Sequence, residues 1–122
     1  MDSSFRINAG PLDAEAYAVE PHGELDIATA PELEAALDAA IECARRFVVL
    51  DLGEVCFLDA STLRVMLRAH RRLEERGGRL VIVCSDPLVA QLFEITGLAD
   101  VLSVTGSRRE ALSQAQHFAP TA

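Results

Sequence analysis

Asp59, Ser61 and Thr62 stand in the stretch FLDASTLRVML (57–67), where an apolar run ends at an acid and an arginine-studded apolar pattern begins. Asp59 has the residue type and position of a helix N-cap, which places Ser61 and Thr62 in the first turn. Unpaired backbone N–H groups and the positive end of the helix dipole favour an anion at that point. A phosphoryl group on Ser61 would therefore be compatible with the fold, adding about −1.5 to −2 charge and three acceptor oxygens. The plainer account is that both hydroxyl residues merely suit a helix start, which would explain them at an arbitrary strand–helix junction.

Other chemistries have less to stand on. There is no G-x-x-x-x-G-K-[ST] loop and no G-x-G-x-x-G, so nucleotide binding has no motif. His22, His70 and His117 lack ligand spacing, and His70 falls on the apolar stripe of its helix as a core-edge residue. Asp51 and Asp59 invite comparison with a phosphoacceptor aspartate, but that chemistry uses a lysine and a metal-holding acid cluster. The chain has no lysine at all. Cys43, Cys56 and Cys84 show no C-x-x-C spacing; Cys56 and Cys84, at the ends of apolar runs, are expected to be reduced and buried. No enzyme, metal or cofactor is expected.

The elements that must position Ser61 follow from periodicity. Segments 5–9 and 14–20 read as strands around Gly10-Pro11, and Pro21-His22-Gly23 reads as a turn before a short piece at 24–27. Thr29, Pro31 and Glu32 carry a capping-box signature, followed by an apolar stripe of Leu33, Ala36, Leu37, Ala40, Ile41 and Ala44. FVVL (47–50) and LVIVC (80–84) are continuous apolar runs, the pattern of strands buried on both faces. Between them a helix is predicted over 60–76, with Leu63, Met66, Leu67, His70 and Leu73 inward and Gly77-Gly78 as its stop. Asp86 and Pro87 open a third helix, with Leu88, Val89, Leu92 and Phe93 inward until Gly97. A strand at 101–104 and a last helix from Ser107 to about residue 118 complete the chain. Strands first, then alternating helix and strand, imply one α/β domain over 1–122. Its mixed sheet begins with an antiparallel pair, and residues 1–4 and 119–122 are expected as flexible tails.

Composition narrows the partners. The formal charge is −8, from 19 acids and 11 arginines, and the first 60 residues hold 13 of those acids. An acidic total argues against nonspecific nucleic-acid binding, which rests on phosphate neutralisation. No stretch approaches the roughly 20 apolar residues of a membrane span, and the N-terminus lacks the apolar core of a signal peptide. A cytoplasmic location without membrane insertion is expected.

With these residues in view, the chain resembles the STAS family, in particular its stand-alone anti-sigma factor antagonists. Three ordered segments carry the likeness: GELDIATAPEL (23–33), VVLDLGEVCFLDAST (48–62) and GGRLVIVCSDPLVAQLFEITGLADVLSV (77–104). The middle one is similar to the family's phosphoacceptor motif, usually F-[IL]-D-S-[ST]-G-L. The resemblance implies a STAS-like fold and a partner switch. Unphosphorylated, such a protein binds an anti-sigma factor, a GHKL-type serine kinase, and frees the sigma factor. The kinase then uses its own ATP to phosphorylate the serine, the complex parts, and a serine phosphatase resets it. By position Ser61 matches the phosphorylated serine, with Thr62 as an alternative acceptor, and Asp26, Asp59, Ser61, Thr62 and Arg64 match the docking surface. Ala60, Thr62 and Arg64 depart from the usual serine, glycine and small residue. The resemblance also allows an accessory subunit of a membrane lipid-transport permease, with no phosphorylation, for which an apolar outer face on the 63–73 helix would speak.

Overall fold

The computed structural model describes residues 5–44 and 46–117, without the side chains of 115–117, so the expected tails and the last helix's end near 118 lie outside the described residues. The strands are β1 (Arg6–Pro11), β2 (Ala16–Leu25), β3 (Phe47–Asp51), β4 (Glu54–Leu58), β5 (Arg79–Val83) and β6 (Ser103–Thr105). The helices are α1 (Ala30–Cys43), α2 (Ala60–Glu75), α3 (Pro87–Ile95) and α4 (Arg108–His117). The sheet runs β1-β2-β3-β5-β6, with β4 on the far half of β2. Among the described residues β1–β2 is the antiparallel pair; β2 pairs β3 and β4 in parallel, as do β3 with β5 and β5 with β6. The mixed sheet with its opening antiparallel pair agrees with the sequence reading.

Alternation along the central strands explains their unbroken apolar runs. Val48 and Leu50 of β3, with Leu80 and Ile82 of β5, join Leu33, Leu37 and Ile41 of α1, Leu63, Met66 and Leu73 of α2, and Phe93 of α3 in the main core. Val49, Val81 and Val83 point the other way and pack with Ala111 of α4. Both faces are covered, so neither tolerates a polar side chain without a partner.

β2 differs from expectation. Pro21, His22 and Gly23 lie inside one ten-residue strand rather than at a turn. Gly23 has φ +117°, and the β2–β4 register shifts between Gly23 and Glu24. The breakers mark a bulge that lets β2 leave β1 and continue beside β4. Leu88 also departs: it is exposed, because it faces outward from the first turn of α3 while Val89 and Phe93 turn in. Cys84 is buried as expected, and burial pushes its thiol above the usual range, but Cys56 is exposed on β4, whose inward residues are Val55 and Leu58.

α1 and α2 lie parallel, locked by a ladder of ion pairs. Arg68 meets Glu34, Arg72 meets Asp38 and, at 3.5 Å, Glu42, and Arg76 reaches Glu42 at 3.4 Å. The hydrogen-bonded rungs each join residues 34 apart. Such surface pairs stabilise little individually, but their common offset matches the parallel alignment of the two helices.

On the opposite sheet face Asp51, nearly buried at the end of β3, accepts from Arg108 Nε at 2.6 Å and from the Gly53 N–H at 2.9 Å. Arg108 also reaches Glu20 at 3.3 Å, and its guanidinium is held above its usual range by Asp51 first. Removing the cation strands a mostly buried carboxylate. Arg108→Ala is expected to cost about 2 kcal/mol in urea unfolding, less than a fully buried pair because Arg108 is partly solvated. Adding Asp51→Asn should recover part of that loss. A cost no larger than that of Arg109→Ala, at an exposed neighbour, would contradict this role.

Candidate functional site

The site lies where β2 and β4 end together. Glu24 stands opposite Phe57 and Leu25 opposite Leu58, and the Asp59 N–H donates to the Leu25 carbonyl at 3.1 Å. That bond holds Asp59 extended, at φ −118° and ψ −179°, immediately before α2. Its Oδ1 then accepts three bonds: from Ser61 Oγ at 2.6 Å, from the Thr62 N–H at 3.2 Å and from Thr62 Oγ1 at 3.3 Å. The Ser61 bond, ahead of the bonds from Thr62, holds the Asp59 carboxyl below its usual range, against a smaller opposing effect of burial.

This geometry gives the two hydroxyls different fates. Ser61 is half-buried, with its hydroxyl donating to Asp59 Oδ1. Thr62 is 0% exposed and shares the inward face of Met66, Ala69 and Leu73. In this conformation the Thr62 side chain, expected as an alternative acceptor and docking residue, is sealed inside. Arg64 is exposed on α2, and no ion pair engages it among the described residues.

Asp26 sits at the neighbouring strand end, in the turn before α1. Its Oδ1 accepts from the Ala28 N–H at 2.9 Å and the Thr29 N–H at 3.1 Å. Thr29 Oγ1 accepts from the Asp26 N–H and lies 2.9 Å from the Glu24 carbonyl, so it binds back into the turn and makes no capping bond to Glu32. The capping box read at Thr29 and Glu32 is thus replaced by a reciprocal Asp26–Thr29 turn. Asp26 is structural here as well as near the site. Asp26→Asn keeps an acceptor oxygen and should cost under about 0.5 kcal/mol, whereas Asp26→Ala should cost about 1–2 kcal/mol. Thermal melts that place the two variants together would contradict this.

Two surface residues were missed by sequence reasoning. Ile27 is 77% exposed beside Asp26, and Phe57 is 49% exposed on β4. Their signal was an apolar residue in a polar turn and an aromatic beside the DAST segment. Ile27 lies two residues beyond Leu25 and Phe57 directly before Leu58, the paired ends of β2 and β4, so exposed apolar side chains flank the acids Asp26 and Asp59 in the chain. His70 lies at the core edge as read, with Nε2 3.4 Å from Glu74 and Nδ1 without a partner among the described residues.

The STAS domain profile matches residues 11–111. The chain belongs to the STAS family. A Bordetella bronchiseptica relative, BtrV, described by its name as a candidate anti-sigma factor antagonist, is 37% identical over 89 residues, covering 73% of this chain and 77% of the relative. The anti-sigma-B factor antagonist of Staphylococcus aureus is 33% identical over 88 residues, 72% of this chain and 82% of its own. Among solved structures, an anti-sigma factor antagonist from Mycobacterium paratuberculosis superposes with a TM-score of 0.84 at 26% identity, over 93% of this chain and 95% of that one. These STAS relatives carry the names of regulators rather than of enzymes. No helix among the described residues is long and apolar enough to cross a membrane.

Proposed function

We propose that this STAS protein is a cytoplasmic anti-sigma factor antagonist whose docking end is Ser61 with Asp26, Asp59, Arg64, Ile27 and Phe57. Its partner is an anti-sigma factor kinase of the GHKL type, which it binds unphosphorylated and leaves once Ser61 carries phosphate. The observation that carries this reading is Ser61 at the start of α2, only half-buried where Thr62 is sealed, with its hydroxyl held by Asp59 at 2.6 Å. A small hydroxyl can be packed closely by a partner. A dianion in the same place must be desolvated or repelled, which costs several kcal/mol and so a large factor in affinity.

The γ-phosphoryl of the kinase's ATP forms a new bond to Ser61 Oγ, ADP leaves, and the hydroxyl proton, now directed at Asp59, is released. A serine phosphatase restores the hydroxyl by hydrolysis. Names of the STAS relatives support the antagonist role. The permease-subunit alternative calls for an apolar outer face on α2, but that face presents Arg64, Arg68, Arg71 and Glu75. The test is incubation with the cognate kinase and ATP, followed by mass-spectrometric mapping. Phosphate on Ser61 supports the reading; no phosphate on Ser61 and no kinase binding would remove it.

A further inference from the structure

The α1–α2 ladder has a vacant first rung. Arg64, Arg68, Arg72 and Arg76 recur every four residues along α2, and the three lower arginines each find an acid on α1. The same 34-residue offset brings Arg64 opposite Ala30, which has no charge to offer. Arg64 is therefore an exposed guanidinium with no ion pair among the described residues, one helical turn from Ser61. Residues three apart on a helix are surface neighbours, close enough for their side chains to meet.

We propose that Arg64 is the built-in counter-charge of a phosphoryl group on Ser61, the pair forming only in the modified protein and withdrawing Arg64 from the partner surface. This rests on the reading of Ser61 as the acceptor. Phosphorylation removes the Ser61 proton from Asp59 and sets a dianion against that carboxylate. Glu24 and Asp26 add further negative charge at this end, and Arg68 is already engaged by Glu34. Among the described residues Arg64 is a cation without an ion pair at the spacing needed to offset that repulsion, and a guanidinium matches a phosphate bidentately. The switch then has two parts: a dianion appears, and an arginine available to the partner is taken up internally.

The experiment uses the full chain with phosphoserine placed at position 61 during translation, so no kinase is involved. Phosphorus NMR then follows the phosphate's second protonation with pH. Arg64→Ala should raise its proton affinity about threefold, as an i, i+3 cation on a dianion would predict. Arg64→Lys should fall between, and Arg71→Ala, at another exposed arginine of α2, should leave it unchanged. Equal titrations for wild type and Arg64→Ala, or an equal change in Arg71→Ala, would overturn the pairing. A failed kinase assay would instead count against Ser61 as the natural acceptor, so the two failures are told apart.

Discussion

Ser61→Asp is expected to weaken the complex with the anti-sigma factor kinase by about a hundredfold, while Ser61→Ala binds within a few-fold of wild type and takes no phosphate at position 61. The asymmetry follows from the contacts. Alanine loses only the bond to Asp59 Oδ1, and Asp59 keeps its bonds from the Thr62 N–H and Oγ1, so the start of α2 stays in place. Aspartate puts a second carboxylate where a hydroxyl had donated to the first. The two charges repel, so the new one is left to solvent at the docking end. A partner closing on that surface must strip water from an anion it cannot pair. Phosphate carries more charge and should weaken binding further. Calorimetric titration of both variants against the kinase without nucleotide gives the comparison. Equal affinities would contradict charge as the means of release, while a parallel loss in Ser61→Ala would show that the hydroxyl itself is recognised.

Local rules reached the site more fully than they reached its surroundings. An acid two residues before a hydroxyl, ahead of an apolar 3.6-period, was enough to locate the Asp59 cap and the Ser61 position. The both-face burial of β3 and β5 was legible from their unbroken apolar runs. The burial of Thr62 is legible as well, since 62, 66, 69 and 73 share one helix face. Pro21 and Gly23 misled because a breaker in a strand and a breaker in a turn look alike locally, and only the arrival of β4 beside β2 makes them a bulge. The Asp51–Arg108 pair joins residues 57 apart across the far sheet face, and the vacant rung at Arg64 depends on how α1 lies against α2. Neither has a local signature, because each is a product of topology.

Gly78→Ala is expected to be the most damaging small substitution at a glycine, costing on the order of 3 kcal/mol and lowering Tm by roughly 10 °C. Gly78 lies where α2 hands over to β5. Its N–H donates to the Leu73 carbonyl at 2.8 Å, closing the helix, and the next N–H, of Arg79, donates to the Arg46 carbonyl at 2.8 Å, opening the β3–β5 pairing. A Cβ built on Gly78 overlaps that Arg46 carbonyl oxygen and comes within 3.3 Å of the Leu73 side chain. Backbone cannot yield there without breaking the bond that starts β5, and Leu73 cannot move without opening the core between α2 and the sheet. Two neighbouring substitutions separate this overlap from a general intolerance of alanine. Gly77→Ala meets nothing within 4 Å but forces a side chain to φ +77°, so about 1 kcal/mol is expected. Gly10→Ala, in β1, has open space and no unusual φ, and should change stability by under about 0.5 kcal/mol. Urea melts of the three variants should rank Gly78 well above Gly77 and Gly77 above Gly10. If Gly78→Ala instead matches Gly77→Ala, the helix end is free to shift away from β3 and the close approach at Arg46 does not hold the α2–β5 junction.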